Sequence, residues 1–202
     1  GLRVAREVFS IADPSLQVEI LLHDGDRVQY GDIALTVSGK ALSILRAERL
    51  VLNFMQRMSG IATATALYTE KVSDTNAKIT DTRKTTPGMR ALEKEAVRTG
   101  GGVNHRMGLY DMIMLKDNHI DYAGGIAAAI RRTQEYLSAN RLNLKIEVEA
   151  RNIREVAEIL ETGGVDRIML DNFNIPETRE AVALIAGRTE TESSGGITLE
   201  NV

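Results

Sequence analysis

The chain has 202 residues, 43% of them apolar, which is enough to fill the core of one substantial domain or of one domain and part of another. It carries a net charge of −3 and has no cysteine and no tryptophan. No apolar run approaches the roughly 20 residues of a membrane helix, and the N-terminus lacks a signal-peptide pattern. These features argue against a nucleic-acid surface, a disulfide scaffold and a membrane protein, and favour a soluble cytoplasmic protein.

The first third of the chain changes character near residue 40. Residues 16–39 alternate short apolar runs with Gly-Asp and Asp-Gly turns, which predicts antiparallel strands of a β-rich module. In residues 41–72 the apolar side chains recur at helical spacing, so this stretch is predicted to form one long helix or two that meet at Gly60. No element is evident before residue 16.

Strands and helices alternate from residue 76 onward. Five strands are predicted, at 77–84, 110–117, 144–150, 166–172 and 188–196. Helices are predicted between them, at 87–99, 124–139, 152–164 and 176–187. Pro87 suits a first helical turn, and Asn152 suits an N-cap.

This alternation predicts parallel βα units, arranged as a doubly wound sheet or as a βα barrel. Polar groups stand where four of the five predicted strands end: Arg83 with Lys84, Lys116, Glu149 and Asp171. Side chains from the ends of several strands converge at the carboxyl face of a barrel, where barrel enzymes place their active sites. We therefore predict an α/β protein in which an open βα barrel, residues 46–202, follows part of an α/β sandwich domain, residues 1–45.

The middle of the chain is locally basic, with seven cations and four acids between Arg83 and His119. In "TDTRK" the adjacent Arg83 and Lys84 either form a solvated turn or bind a carboxylate or phosphate. In "GGGVNHR" the glycines at 100–102 either let the backbone approach a ligand or serve only the geometry of a turn. His105 and Arg106, which follow them, suit an anionic oxygen.

"MIMLKDNH" places Lys116 at the inner end of an apolar strand, where its ammonium needs an anionic partner, either a protein carboxylate or a ligand. Glu147 and Glu149 point the same way from the next strand, and Asp171 ends the strand after it. The three acids are interpreted as salt-bridge partners, or alternatively Glu149 and Asp171 hold Mg²⁺ or accept hydrogen bonds from ribose hydroxyls. "ESSGG", at 192–196, is typical of a phosphate-binding loop and also of ordinary loops.

Seven segments, taken in order, closely resemble the quinolinate phosphoribosyltransferase family: "ERLVLNFMQRMSGIAT", "TRKTTPGMR", "GGGVNHRMGL", "MLKDNHI", "IEVE", "LDN" and "SSGGI". The resemblance covers nearly the whole chain. It implies transfer of phosphoribosyl from phosphoribosyl pyrophosphate to quinolinate with decarboxylation, which gives nicotinate mononucleotide for NAD biosynthesis.

The resemblance also implies roles for individual residues. The substrate phosphates and carboxylates would be bound by Thr82, Arg83, Lys84, His105, Arg106 and Lys116. Glu149 and Asp171 would hold ribose and Mg²⁺, and Ser194, Gly195 and Gly196 would take the 5′-phosphate. Lys84, Lys116, Glu149 and Asp171 are the expected catalytic residues. Arg49 is expected to reach into the site of a partner subunit, which implies at least a homodimer.

Family members carry a further segment before the equivalent of Gly1 and a strand with a phosphate loop after the equivalent of Val202. We therefore expect the 202 residues to be a fragment, with an open barrel. Two alternatives remain. One is a relative of the same fold, of the molybdate-transport type or using nicotinate. The other is a biotinyl-like carrier or interaction module at "HDGDRVQYGD", which needs an exposed modifiable lysine at a hairpin tip, whereas Lys40 is not in the usual Met-Lys setting.

Overall fold

A computed structural model describes all 202 residues and divides them into two units, 1–105 together with Val202, and 106–201. The first unit contains α1 (Leu2–Ala12), β1 (Gln17–Ile20), β2 (Leu35–Ser38), α2 (Ala41–Lys71) and α3 (Arg90–Thr99). The second contains β3 (Ile113–Leu115), α4 (Asp117–Ala123), α5 (Ile126–Asn140), β4 (Ile146–Ala150), α6 (Ile153–Thr162), β5 (Arg167–Asp171), α7 (Ile175–Ile185) and β6 (Glu190–Ser194).

In the first unit, α1 packs on α2 through a small apolar core. Ala5 and Phe9 on α1 are buried against Ala47 and Val51 on α2, and the spacing of four residues in each pair puts both members on one helix face. The antiparallel pair of β1 and β2 adds Val18 and Val37 to this core. The predicted β-rich module is therefore one two-stranded ribbon beside two helices.

Three local predictions in this unit are corrected. The chain begins with a helix, α1, in which Leu2, Ala5 and Phe9 supply a narrow buried stripe that sequence inspection overlooked. The strand predicted at 77–84 is reduced to one parallel bridge between Thr80 and Val103. Pro87 precedes the first turn of α3 and does not lie within it, because the helix begins at Arg90.

The long segment 41–72 forms one helix, α2, which continues through Gly60. The domain boundary predicted between residues 45 and 46 lies inside α2, and it stays a prediction. Lys40 lies at the N-cap of α2, with its Nζ 3.9 Å from Asp13 Oδ2. A carrier module needs its lysine at the tip of a hairpin, so the structure does not support that alternative.

The second unit is a parallel sheet with the strand order β3-β4-β5-β6. Neighbouring strands in the sheet are consecutive in the chain, as in a βα barrel. The strand order does not reverse within the sheet, as it does in a doubly wound fold. The α/β class is confirmed, and the four strands form an open sheet. The predicted N-cap of α6 is also confirmed, because Asn152 accepts a hydrogen bond from the Glu155 backbone N–H at 3.1 Å.

The two faces of this sheet differ in chemistry. Ile146, Val148 and Ala150 on β4, with Ile168 and Leu170 on β5, are buried in a core completed by α5, α6 and α7. Because side chains alternate along a strand, the residues between them lie on the opposite face. That face, which we call the polar face, carries Lys116, Glu147, Glu149, Arg167, Asp171, Glu190, Glu192 and Ser194.

None of the seven helices combines the length and the apolar composition that crossing a bilayer requires.

Candidate active site

Four strands of the second unit end in polar residues at one edge of the sheet. Lys116 follows β3, Glu149 is the penultimate residue of β4, Asp171 ends β5 and Ser194 ends β6. Since all four strands are parallel, their carboxyl ends share this edge. Ligand sites of parallel α/β folds lie outside the carboxyl ends of the strands, so this edge is the candidate active site of the unit.

Lys116 and Glu149 form an ion pair, with 3.2 Å between Nζ and Oε2. The side chain of Glu149 is 8% exposed, whereas that of Lys116 is 44% exposed. The carboxylate is thus enclosed, while the ammonium keeps N–H groups open to a further anion. The backbone N–H of Lys116 donates to His119 Nδ1 at 3.1 Å, which fixes the start of α4 and the direction in which Lys116 leaves the strand.

Asp171 and the loop after β6 are joined through Asn172. The Asn172 side chain donates to Asp171 Oδ2 at 2.8 Å, and its backbone N–H donates to the Ser194 carbonyl at 2.8 Å. Gly195 has a φ of +88°, and a Cβ at this position would lie 2.0 Å from Asn172 Oδ1. Only glycine allows this close approach, so the predicted phosphate loop starts beside the predicted metal and ribose carboxylate.

A ladder of charges lies deeper on the polar face. Arg167 contacts Glu190 at 2.8 Å, Glu192 at 3.0 Å and Glu147 at 3.9 Å. Burial lowers the pKa of Arg167, but its hydrogen bond to Glu190 and the charges of Glu147 and Glu192 outweigh it, so the pKa is raised above its ordinary value. The sequence reasoning missed this ladder; the signal was the repeated acid-x-acid pattern of β4 and β6.

In the first unit, the basic loop 82–89 carries Arg83 and Lys84. The Nε of Arg83 is buried and has no hydrogen-bond partner within the chain. A buried donor without an acceptor costs roughly 1–3 kcal/mol, more for a charged group, so such a guanidinium is a candidate for binding an external anion. Lys84 is exposed, and its backbone N–H donates to the Thr82 hydroxyl at 3.0 Å.

Side chains from two helices hold this loop in place. On α3, Arg90 donates to Thr85 Oγ1 at 3.2 Å and to the Arg83 carbonyl at 3.3 Å. On α2, Arg57 donates to Thr86 Oγ1 at 3.0 Å and pairs with Glu93 at 2.7 Å.

Glu93 in turn accepts from the Thr86 backbone N–H at 3.2 Å. Burial raises the pKa of Glu93, but hydrogen bonds from Thr86 and Arg57 outweigh it, so the pKa is lowered.

The three glycines at 100–102 pack against α2. A Cβ on Gly100 would lie 2.3 Å from the Ala62 carbonyl oxygen, and one on Gly102 would lie 2.9 Å from Thr65 Cγ2. The Gly100 carbonyl accepts from the Thr69 hydroxyl at 3.1 Å. The glycines therefore serve the approach of a turn to a helix, which is the second of the two roles considered from the sequence.

The remaining predicted residues fall on both units. The His105 backbone N–H donates to Asp81 Oδ1 at 2.9 Å in the first unit, and Arg106 opens the second unit with its Nη1 3.2 Å from the Met112 carbonyl oxygen. Arg49 is exposed on α2. The structure thus joins Lys116 to Glu149 and places Asp171 beside the Ser194–Gly195 turn, while Arg49, Thr82, Arg83, Lys84 and His105 belong to the first unit.

Comparison with known proteins identifies relatives along the entire chain. The chain is 49% identical over its full length to quinolinate phosphoribosyltransferase (decarboxylating) 1b of Nicotiana tabacum and spans 61% of that protein. It is 42% identical to the probable nicotinate-nucleotide pyrophosphorylase (carboxylating) of Bacillus subtilis, of which it spans 68%. The chain therefore covers about three fifths of the plant relatives it matches.

Solved structures give the same result. NadC from Streptococcus pyogenes is 43% identical, with a TM-score of 0.91 over 98% of this chain and 69% of its own. The nicotinate-nucleotide pyrophosphorylase from Ehrlichia chaffeensis is 39% identical, with a TM-score of 0.92 over all of this chain and 72% of its own.

Two domain families account for the chain. Residues 1–59 match the N-terminal domain of quinolinate phosphoribosyl transferase, and residues 61–202 match its C-terminal domain. The chain belongs to the quinolinate phosphoribosyl transferase family.

Proposed function

We propose that this chain provides catalytic residues of an enzyme that transfers phosphoribosyl from phosphoribosyl pyrophosphate to quinolinate, with release of pyrophosphate and CO₂ and formation of nicotinate mononucleotide. The observation that carries the proposal is the carboxyl edge of the parallel sheet, where Lys116, Glu149, Asp171 and Ser194 lie at or beside the ends of four consecutive strands. The names of the tobacco and Bacillus relatives, which describe a decarboxylating transferase and a carboxylating pyrophosphorylase, support the same reaction.

The chemistry of the substrates accounts for the cationic set. Quinolinate carries two carboxylates, and phosphoribosyl pyrophosphate carries a 5′-phosphate and a pyrophosphate. In the proposal, these anions are bound by side chains from both units: Thr82, Arg83, Lys84, His105, Arg106 and Lys116. The partly exposed ammonium of Lys116 and the unpartnered Nε of Arg83 each offer a donor to a ligand.

The bond changes require fixed charges and no covalent nucleophile. The pyridine nitrogen forms a bond to the anomeric carbon, and the bond from that carbon to pyrophosphate breaks with its electron pair leaving on oxygen. Cations already in place stabilise the negative charge that grows on the pyrophosphate. When the carboxylate beside the ring nitrogen leaves as CO₂, the electron pair of the broken bond stays on the ring carbon, where the adjacent positive nitrogen stabilises it, and that carbon then takes up a proton.

We extend the proposal to Mg²⁺, held by Glu149 and Asp171. Both offer carboxylate oxygens, the donor type that Mg²⁺ prefers. Each carboxylate has one oxygen in a hydrogen bond, to Lys116 and to Asn172 respectively, which leaves the other oxygen for an ion or a ribose hydroxyl. The bound ion would neutralise charge on the pyrophosphate.

Calorimetric titration of the chain with quinolinate and with nicotinate tests the substrate. Quinolinate is expected to bind about tenfold or more tightly, since its second carboxylate makes charge-assisted hydrogen bonds that nicotinate lacks. Release of labelled CO₂ from carboxyl-labelled quinolinate, in the presence of phosphoribosyl pyrophosphate and Mg²⁺, tests the reaction. Tighter binding of nicotinate would contradict the choice of a dicarboxylate.

We also propose a homodimer in which Arg49 serves the partner's site. Arg49 is exposed on α2, as a residue that reaches a second subunit must be before assembly. Mixing inactive Arg49→Ala with inactive Asp171→Asn is expected to restore part of the activity, because mixed dimers then contain one intact site. No recovery on mixing would refute shared sites.

A cytoplasmic location completes the proposal. Plant relatives carry names that place them in mitochondria or chloroplasts, so cell fractionation with an antibody against the chain is the direct test.

A further inference from the structure

One buried carboxylate in the first unit gathers three donors. Asp81 accepts from Lys94 Nζ, from Asn104 Nδ2 and from the His105 backbone N–H, the last at 2.9 Å. The Lys94 residue is 1% exposed, and the Asp81 side chain is 7% exposed. Neither side chain offers a surface to a substrate, and neither was singled out from the sequence.

The pair holds the chain around His105 on both sides of that residue. Besides contacting Asp81, the Lys94 ammonium donates to the His105 carbonyl at 3.1 Å. The Asn104 side chain also donates to the Lys94 carbonyl at 2.8 Å. Both backbone polar groups of His105 are therefore bonded to one ion pair.

The same pair stands next to the basic loop. Asp81 lies two residues before Arg83, and its own N–H donates to the Val103 carbonyl at 3.4 Å, beside the parallel bridge between Thr80 and Val103. Two separate segments, one leading to Arg83 and Lys84 and the other to His105, are thus fixed at one point. A shift of about 1 Å in such groups is enough to cost on the order of a hundredfold in rate.

We propose that Asp81 and Lys94 are positioning residues, which set the distance between the basic loop and His105 and so shape the site for a dianionic ligand. The role rests on the proposed function, because it is defined by the substrate that those cations bind. A buried ion pair is weak evidence for stability alone, since well-packed neutral residues of the same volume often stabilise a protein as much. Neutral replacements would instead lose the contacts that hold the backbone of His105 in position.

The test uses the double variant Asp81→Asn/Lys94→Met in the full chain. Both replacements keep the side-chain volume and leave no buried charge unpaired, so the double variant is expected to unfold near the wild-type temperature, unlike either single variant. The matched control is Arg3→Met/Glu95→Gln, which removes an exposed ion pair of 2.7 Å that also involves α3.

Two readouts are measured on each protein. The first is amide hydrogen exchange at His105, which needs no ligand; we expect exchange to become about tenfold faster in the double variant and unchanged in the control. The second is quinolinate affinity, which we expect to fall about tenfold in the double variant only.

The outcomes distinguish a positioning role of the Asp81–Lys94 pair from a merely structural one, and from failure of the proposed function. Wild-type exchange and wild-type affinity in a folded double variant would show that the pair is merely structural, and so would faster exchange with unchanged affinity. Faster exchange in a protein whose wild type binds no quinolinate would refute the proposed function and leave the anchoring of His105 standing. If the double variant does not fold, Asn104→Ala, which removes one donor to Asp81, takes its place, with changes of about threefold expected in both readouts.

Discussion

Lys116 and Glu149 form an ion pair across the carboxyl ends of two neighbouring parallel strands, with the carboxylate enclosed and the ammonium partly open. Enclosure of one partner fixes the position of the other, because the ammonium cannot leave without stranding a buried charge. A lysine held in this way presents a cation to solvent at a defined place, which is what recognition of an anionic ligand requires.

Replacing Lys116 with methionine should remove quinolinate binding, lowering affinity by about a hundredfold. Because Lys116 is nearly half exposed, the free energy of unfolding should fall by only about 1–2 kcal/mol. Calorimetric titration and urea denaturation measure the two effects. Lys145→Met is the matched control, since its Nζ pairs with Glu190 at 3.3 Å beside the other end of β4; an equal loss of affinity in both variants would contradict a site at the carboxyl edge.

Alanine at Gly195 should damage the loop after β6 more than alanine at Gly196. Both glycines have positive φ, which costs an L-residue about 1–2 kcal/mol. At Gly195 the new Cβ would also lie 2.0 Å from Asn172 Oδ1, whereas nothing lies within 4 Å at Gly196. Urea unfolding should therefore rank the variants, and affinity for phosphoribosyl pyrophosphate should fall further with Gly195→Ala. The reverse order would mean that the Asn172 contact is unimportant.

Substitution of Arg57 by methionine should lower the free energy of unfolding by about 2–3 kcal/mol, because it leaves the buried carboxylate of Glu93 without its cation. The Thr86 hydroxyl loses a donor in the same change, so the basic loop should also become more mobile. The control is Arg27→Met, which removes an exposed contact of 3.8 Å to Glu70, a residue that lies on α2 like Arg57. This variant should change the free energy of unfolding by less than about 0.5 kcal/mol. Equal stability of the two variants would contradict the role of Arg57 in compensating Glu93 and holding the basic loop.

The lowered pKa of Glu93 predicts a difference in acid stability between the wild type and Glu93→Gln. The folded-state pKa lies below the ordinary value of 4.5, so the ionised group stabilises the fold above that pH. This contribution is lost as the pH falls through the lowered folded-state value. Thermal unfolding between pH 7 and pH 3 should therefore show a steeper loss below about pH 4.5 in the wild type than in Glu93→Gln. Parallel curves would contradict the assignment.

Much of the second unit could be predicted from the sequence because its signals are local. β4 alternates apolar and acidic residues, and β5 carries a short apolar run. Asn152 forms the expected N-cap of α6. The positions of Lys116, Glu149 and Asp171 near the carboxyl ends of β3, β4 and β5 could be predicted from the same local patterns.

The buried charges of the first unit could not be predicted in the same way. Lys94 and Glu93 lie in a charged helical stretch, where such side chains usually face water. Their burial depends on partners far away in sequence: Asp81 for Lys94, and Arg57 for Glu93. The strand predicted at 77–84 also depends on a distant partner. Only Thr80 pairs, with Val103, so the segment forms a single bridge.

The two faces of the parallel sheet assign the maintenance of the fold and the variation of polar groups to different residues. Residues 146, 148, 150, 168 and 170 pack against the helices, and their alternate neighbours form the polar face. Substitutions at the second set can accumulate without disturbing the first, because no side chain belongs to both. New ligand preferences can therefore arise on this scaffold by changes at every other position, while the architecture is handed down unaltered.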